Sequence, residues 1–143
     1  MEGGIVKKIF QSIKQKPINL VLMITVLFLY FLNNTYLKVC TEGVVQKFLI
    51  CHFNDFICPL FFIAYSNLLL ISVNREIKKL KWIMIFGFCS GLIWEFVAPL
   101  IKPTSVTDIL DLLFYTLGTF LYWCTVKLFP DRRMKYGTTS KYN

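Results

Sequence analysis

Four acidic residues stand inside long apolar stretches or at their ends. Asp55 opens one such stretch, and Glu95 lies within the next. Asp108 and Asp111 open the last stretch, and Tyr115 lies one helical turn beyond Asp111 on the same face. Ionisable side chains at such positions are costly in a membrane, and they normally face a bundle interior or a wet cavity. We therefore predict that these five residues bind a ligand or a cation.

Several occupants would suit this group of acids, because close carboxylates cannot all stay ionised without protons or a countercharge. Oxygen ligands from several helices suit Mg²⁺ or Ca²⁺, and the predicted metal ligands are Glu95, Asp108 and Asp111. A cationic headgroup or a partner protein is the alternative occupant. Structural roles stay open as well. Asp108 and Asp111 suit the first turn of a helix, Asp55 suits an N-cap, and Glu95 suits a hydrogen bond to Tyr115 or to a backbone carbonyl group.

The other residues with metal-binding or redox chemistry give weaker signals. Asn54 is in a position to close the site beside Asp55, whereas His52 is interpreted as an interfacial polar residue rather than a ligand. No CxxC or HxxxH spacing indicates a zinc site. Cys40 and Cys51 could form a disulfide in an oxidising compartment.

Glycines mark the faces on which the helices are expected to pack. Gly87, Gly91 and Glu95 recur every four residues, and the GxxxG pattern allows a close helix approach. Gly118 lies three residues after Tyr115 on the stripe that carries the last acids. We expect these two faces to meet, which would place Glu95 against the turn that opens the last apolar stretch.

Composition indicates which elements position these residues. Of 143 residues, 56% are hydrophobic and 17% are charged, and a bilayer solvates so much apolar surface more readily than water does. Four apolar runs are each long enough to cross the hydrocarbon core as a helix. The sequence predicts an all-α membrane protein, a single four-transmembrane-helix bundle over 1–143 with spans of about 17–33, 55–73, 82–100 and 107–129.

Two further helices are expected to lie in the membrane surface. Residues 5–16 place apolar side chains on one face and most lysines off it, which is typical of an N-terminal amphipathic interfacial helix. A short outer interfacial helix is expected between 44 and 53, where apolar residues recur at near-helical spacing. Asn33 and Asn34 are expected to end the first span, because the stretch 35–54 is too polar to cross the membrane.

The net charge of +8 is concentrated in blocks that adjoin the apolar runs. Twelve of the sixteen Lys and Arg residues fall in the N-terminal segment, the connection 74–81 and the C-terminal tail, which share one side of a four-span topology. That side is expected to be cytoplasmic, with both termini, so the acids lie toward the outside of the cell membrane. The blocks indicate contacts with anionic lipids of the cytoplasmic leaflet and not with nucleic acid.

The stretch from Thr107 to Gly118 resembles the C-terminal signature of VanZ-like bacterial membrane proteins. That signature is a span with an acid, a short loop, and an Arg-x-x-Asp-x-x-Asp-x-x-x-Asn-x-x-Gly pattern. Glu95 matches the acid of the span, and Asp108 and Asp111 match the two aspartates. Gly118 matches the glycine, so the resemblance extends from the third span into the fourth.

Two positions depart from that signature. Tyr115 stands at the asparagine of the family, and Ser105 stands at its arginine, whose charge Lys102 could supply from nearby. The segments 54–59 and 108–118 also resemble short bacterial membrane proteins that are labelled as magnesium/citrate transporters. The resemblance implies a role at the bacterial cell envelope. The protein that gives the family its name confers resistance to the glycopeptide antibiotic teicoplanin.

Three functions follow from these observations. The leading hypothesis is a VanZ-like cell-envelope protein, without catalysis, whose outer acidic pocket binds a cation, a headgroup or a membrane protein partner. The second is a homo-oligomeric transporter of a cation or small solute such as magnesium/citrate. The third is a metal-dependent enzyme that acts on lipid-linked phosphates. This hypothesis is disfavoured, because phosphate chemistry usually needs Arg or Lys beside the metal and only Lys102 is near the acids.

Overall fold

The computed structural model describes residues 10, 13–14, 16–101 and 108–129, without the side chains of residues 98 and 99. Within these residues the chain forms helices and no strand. The five helices are α1 (Pro17–Leu32), α2 (Gly43–Cys51), α3 (Phe53–Ser72), α4 (Leu80–Ile101) and α5 (Ile109–Leu128). All of these except α2 belong to segments long and apolar enough to cross a membrane, which confirms the predicted all-α bundle with four candidate spans.

The predicted bounds of the last three spans agree with α3, α4 and α5 within two residues at each end. Eight of the twelve residues of the predicted N-terminal amphipathic helix, residues 5–16, lie outside the described residues. Within it, Phe10, Ile13 and Lys14 are helical. Lys102, Ser105 and Thr107 also lie outside the described residues.

The prediction that the first span ends at Asn33 is wrong. A π-helical turn (Asn33–Leu37) and a last α-helical turn (Lys38–Cys40) extend the candidate span to Cys40. The polar residues do not break the helix because they bond to its own carbonyl groups. Asn34 Nδ2 donates to Tyr30 O at 2.7 Å, and Thr35 Oγ1 donates to Phe31 O at 2.9 Å.

Helix α2 occupies the region of the predicted short helix. It starts at Gly43, whose φ of 68° lies in the left-handed region that glycine adopts without strain. Only His52 separates α2 from α3. The His52 N–H donates to Phe48 O at 2.9 Å, and the His52 carbonyl accepts from Phe56 N at 3.0 Å. This single-residue junction holds the His52 side chain at the start of α3.

Helix α3 lies at the centre of the bundle, between α1 and α5, and α4 packs mainly against α5. α3 is the most buried of the four candidate spans. The core between the helices contains one tyrosine among aliphatic side chains: Leu22, Val26, Ile57, Leu60, Ile63, Ala64, Ile83 and Tyr122. The outward faces of the helices are apolar and exposed, as a surrounding bilayer requires.

The helices alternate in direction, so the bundle has two distinct ends. We call one the acidic end, which contains His52, Asp55, Glu95, Asp108 and Asp111. We call the other the basic end, which contains Lys16, the connection 73–79 and Leu128. At the basic end α3 stops in a Schellman motif, in which Asn74 has a φ of 59° and the Arg75 N–H donates to Leu70 O at 2.8 Å.

Candidate functional site at the acidic end

Two glycine contacts bring the acid-bearing helices together. A Cβ atom at Gly118 of α5 would lie 2.0 Å from the backbone carbonyl oxygen of Phe56, so only glycine permits this approach of α5 to α3. Across the α4–α5 contact, a Cβ atom at Gly87 would lie 1.9 Å from Thr119 Oγ1. At Gly91 it would lie 3.1–3.2 Å from Leu112 and Tyr115. These contacts set the register that carries Glu95 to the first turn of α5.

Tyr115 lies at the centre of the acidic end and is 2% exposed. Its phenol group interacts electrostatically with Asp55 of α3, Glu95 of α4 and Asp111 of its own helix. The carboxyl group of Asp55 in turn interacts with those of Asp111 and Glu95. Four of the five predicted candidates therefore share one region, and we call Asp55, Glu95, Asp111 and Tyr115 the acid cluster.

Asp108 has a structural role beside the acid cluster. It is the N-cap of α5, and its Oδ1 accepts a hydrogen bond from Leu110 N at 2.9 Å. Its backbone and its charge both interact with Glu95. The described residues contain no group of three or more His, Cys, Asp or Glu side chains placed to hold a metal ion. Glu95, Asp108 and Asp111 are thus not arranged as the predicted metal site, because the Asp108 carboxylate faces its own helix.

His52 is the residue whose role the sequence interpretation underrated. Its Nδ1 lies 2.7 Å from Asp111 Oδ1, and both side chains are largely shielded, with 15% and 18% exposed. The imidazole also stacks on Phe114, with ring centroids 4.9 Å apart. No local spacing signals this pair, because 59 positions separate its members.

Asn33 is a second residue that the sequence interpretation missed. It is fully buried, and its Nδ2 donates to Leu49 O at 2.9 Å and to Asn54 Oδ1 at 3.2 Å. Its own Oδ1 is buried without a hydrogen-bond partner among the described residues. Such an acceptor is costly and is uncommon outside functional or strained places. The π-helical turn that carries Asn33 is also a common feature of functional sites.

Among the described residues, the carboxyl groups of the acid cluster outnumber their basic partners. Within the described residues, His52 is the only basic side chain that pairs with an acid of this end. The three carboxyl groups of the acid cluster come from three different helices and interact electrostatically with one another and with Tyr115. An arrangement of this kind attracts protons or a positively charged group. Cys40 and Cys51, both exposed, are free thiols and do not form the disulfide considered from the sequence.

Fold and site together define a multi-pass helical membrane protein with an acid cluster at one end. Comparison with known proteins finds no match to a family model, to a curated protein or to a solved structure. The resemblance to VanZ-like proteins therefore stays a prediction. It depends on Glu95, Asp108, Asp111 and Gly118, whose positions in the fold are given above.

Proposed function

We propose that this protein binds a positively charged group at the acid cluster and has no catalytic activity of its own. The group is a cation or belongs to a lipid headgroup or a partner protein. One observation carries the proposal: Asp55, Glu95 and Asp111 converge on the buried Tyr115 with His52 as the only basic partner among the described residues. Carboxylates in this arrangement repel one another until a positive charge enters.

The contacts of the individual acids favour binding over chemistry on a phosphate. Among the described residues, no three His, Cys, Asp or Glu side chains are placed to hold a metal ion together, and the Asp108 carboxylate caps α5. Phosphate chemistry further needs basic side chains beside the metal, and within the described residues His52 is the only one at the cluster. A carboxylate cluster without these features still attracts an ammonium group or a hydrated cation through charge alone.

Polar contacts at the basic end bear on the transporter alternative. Asn67 Nδ2 donates to Tyr122 Oη at 2.8 Å, and Tyr122 Oη donates to Asn19 Oδ1 at 2.9 Å. Asn67 Oδ1 accepts from Ile77 N at 2.8 Å. Because these buried groups satisfy one another, they act as a closed network and do not favour a solute path through this half of the bundle.

The proposed location follows from the distribution of charge. We place the basic end in the cytoplasm and the acid cluster toward the outer leaflet of a bacterial cell membrane, as the positive-inside rule predicts. The VanZ-like resemblance supports a role at the cell envelope. On this proposal the protein receives cationic groups at the outer face of the membrane, from a lipid headgroup or from another envelope protein.

A binding test compares cationic probes on the purified protein. Thermal unfolding is measured in detergent micelles during titration with MgCl₂, ethanolamine and choline, against NaCl at equal ionic strength. We expect saturable stabilisation by at least one probe, which reaches about 2.7 kcal/mol when the probe is at one hundred times its Kd. The paired variants Glu95→Gln and Asp111→Asn should each weaken that response at least tenfold.

Glu42→Gln provides the matched control, because Glu42 is an exposed acid at the N-cap of α2, outside the acid cluster. This variant should respond to the probes as the unmodified protein does. The proposal fails if no probe stabilises the protein beyond NaCl. It fails equally if the cluster variants keep the full response while they remain folded by circular dichroism.

A further inference from the structure

A groove of about 800 Å³ extends from the basic end along α4. It begins at the connection 73–79 and follows α4 to the middle of that helix, with Ile85, Phe86 and Ile93 along its wall. Trp82 and Ile93 also expose more than half of their side-chain surface. The wall residues cover roughly 16 Å of helix at 1.5 Å per residue. The groove therefore has a long apolar wall along α4.

The polar atoms along this wall are satisfied within the helix. Ser90 also lines the groove, and its Oγ donates to Phe86 O at 2.8 Å. A hydroxyl group that bonds to its own helix backbone presents little polarity to the outside. The wall thus suits a hydrocarbon chain better than a polar peptide or a solute.

The mouth of the groove is positively charged. Lys78 and Lys79 line it, together with Trp82, a residue type that is enriched at membrane interfaces. The acid at this position, Glu76, forms ion pairs with both Lys16 and Lys78. The connection 73–79 carries Arg75, Lys78 and Lys79 against the single acid Glu76, so its own side chains give the mouth a positive formal charge.

The connection that carries these lysines is held in place from inside the bundle. Asn67 Nδ2 donates to Ile77 O at 3.1 Å, and Ile77 N donates to Asn67 Oδ1 at 2.8 Å. Ile77 directly precedes Lys78, so this pair of hydrogen bonds fixes the backbone at the mouth. The lysines therefore stand at a defined place above the apolar wall, and a bound headgroup does not have to order a loose loop.

We propose that this groove binds an anionic phospholipid, with an acyl chain along α4 and the phosphate beside Lys78 and Lys79. Basic pockets next to transmembrane helices bind anionic headgroups in this way, and each lysine near the surface contributes a preference of roughly fivefold. The apolar wall by itself does not distinguish anionic from neutral phospholipids, so selectivity comes from the charge at the mouth. The proposal concerns the basic end and does not depend on the function proposed for the acid cluster.

Trp82 provides a direct reporter of the lipid that occupies the groove. The chain has three tryptophans, so Trp94→Phe and Trp123→Phe together leave Trp82 as the only one. The variant is placed in vesicles that contain brominated phosphatidylglycerol or brominated phosphatidylcholine, and fluorescence quenching is measured against the fraction of brominated lipid. We expect half-maximal quenching at a severalfold lower fraction of phosphatidylglycerol than of phosphatidylcholine.

Two lysine pairs distinguish a specific site from general attraction to anionic lipid. Lys78→Gln with Lys79→Gln should bring the two quenching curves together. Lys38→Gln with Lys47→Gln removes the same charge at the opposite end and should leave the preference unchanged. Retention of phosphatidylglycerol by the unmodified protein in native mass spectrometry provides a second measurement that does not depend on the tryptophan substitutions.

Three results would overturn the proposal. The first is equal quenching by both lipids in the protein with all lysines present. The second is a preference for phosphatidylglycerol that survives the Lys78 and Lys79 substitutions. The third is an absence of quenching by either lipid because a second copy of the chain covers Trp82, which crosslinking in the same vesicles would detect.

Discussion

The two ends of the bundle hold their buried polar side chains in different ways. At the basic end, Asn19, Asn67 and Tyr122 are neutral, and hydrogen bonds of 2.8–2.9 Å link them. At the acidic end, Asp55, Glu95 and Asp111 interact as like charges, and among the described residues their one basic partner is His52, which pairs with Asp111 and also interacts with Asp55. The same two helices, α3 and α5, contribute to both ends.

This difference separates polar groups that stabilise the fold from polar groups that are available to a ligand. A satisfied neutral network strengthens helix association in a membrane, because its groups would otherwise stand unpaired in hydrocarbon. Like charges that converge without a full set of partners work against folding. Proteins keep such arrangements where function needs them, at a cost in stability. The substitutions below test this comparison.

The largest effect is expected from Gly118→Ala, since Gly118 sets the approach of α5 to α3 that both ends share. The new Cβ atom would lie 2.0 Å from Phe56 O, and a backbone carbonyl cannot turn aside as a side chain does. The helices must separate, and we expect a loss of about 3 kcal/mol in the free energy of unfolding. Unfolding of the purified protein by SDS titration in mixed micelles measures this loss.

Gly91→Ala is the matched control in the neighbouring contact. Its Cβ atom would meet only side-chain atoms of Leu112 and Tyr115, at 3.1–3.2 Å, and those atoms can shift by a few tenths of an ångström. The loss should be about 1 kcal/mol or less. If Gly91→Ala costs as much as Gly118→Ala, the α3–α5 contact is not the constraint that joins the two ends.

An intermediate loss is expected from Asn67→Leu at the basic end. The substitution leaves Ile77 N without its acceptor and Tyr122 Oη without one of its partners. Unpaired buried groups cost about 1–3 kcal/mol each, so we expect a total near 2–3 kcal/mol in the same SDS titration. Tyr122→Phe should cost about 1–2 kcal/mol, because Asn19 Oδ1 then loses its donor, while Asn67 Nδ2 loses one acceptor and keeps Ile77 O.

Asn34→Leu controls for the change from Asn to Leu in a transmembrane helix. Asn34 is exposed, and its side-chain bonds stay within its own helical segment: Nδ2 donates to Tyr30 O, and Oδ1 accepts from Lys38 Nζ at 2.8 Å. This substitution should leave stability nearly unchanged. Equal losses at positions 34 and 67 would mean that the network at the basic end does not stabilise the tertiary structure.

The smallest effect, and one of opposite sign, is expected from Asp55→Asn at the acidic end. The substitution keeps the shape of the side chain and removes one of the charges that oppose Glu95 and Asp111. We expect a gain of about 1 kcal/mol in the free energy of unfolding at low salt and pH 8. Thermal unfolding in the absence of divalent and organic cations measures the gain.

Salt provides the internal check on this last prediction. Screening weakens repulsion between charges, so the gain from Asp55→Asn should shrink as NaCl rises. A loss of stability in place of the gain would show that Asp55 stabilises the fold. The acid cluster would then resemble the network at the basic end, and the comparison between the two ends would no longer hold.

Local patterns in the sequence predict most of the helices and part of the packing between them. Apolar runs of sufficient length predict α3, α4 and α5 within two residues, because the bilayer thickness sets the length of a spanning helix. The four-residue spacing of Gly87, Gly91 and Glu95 predicts which face of α4 meets α5. The end of the first span was predicted wrongly, since Asn34 and Thr35 satisfy their polarity along the helix.

The amino-acid sequence by itself determined four spanning helices, a basic side and an acidic side, because length, periodicity and charge are local properties. The tertiary structure decided which polar groups meet. His52 reaches Asp111 across 59 positions, and Asn19 reaches Tyr122 across 103. Such pairs depend on which helices are neighbours and in what register, and periodicity within one helix carries no information about either. Because α3 packs between α1 and α5, it brings the hydrogen-bonded network together at one end of the bundle and the acid cluster together at the other.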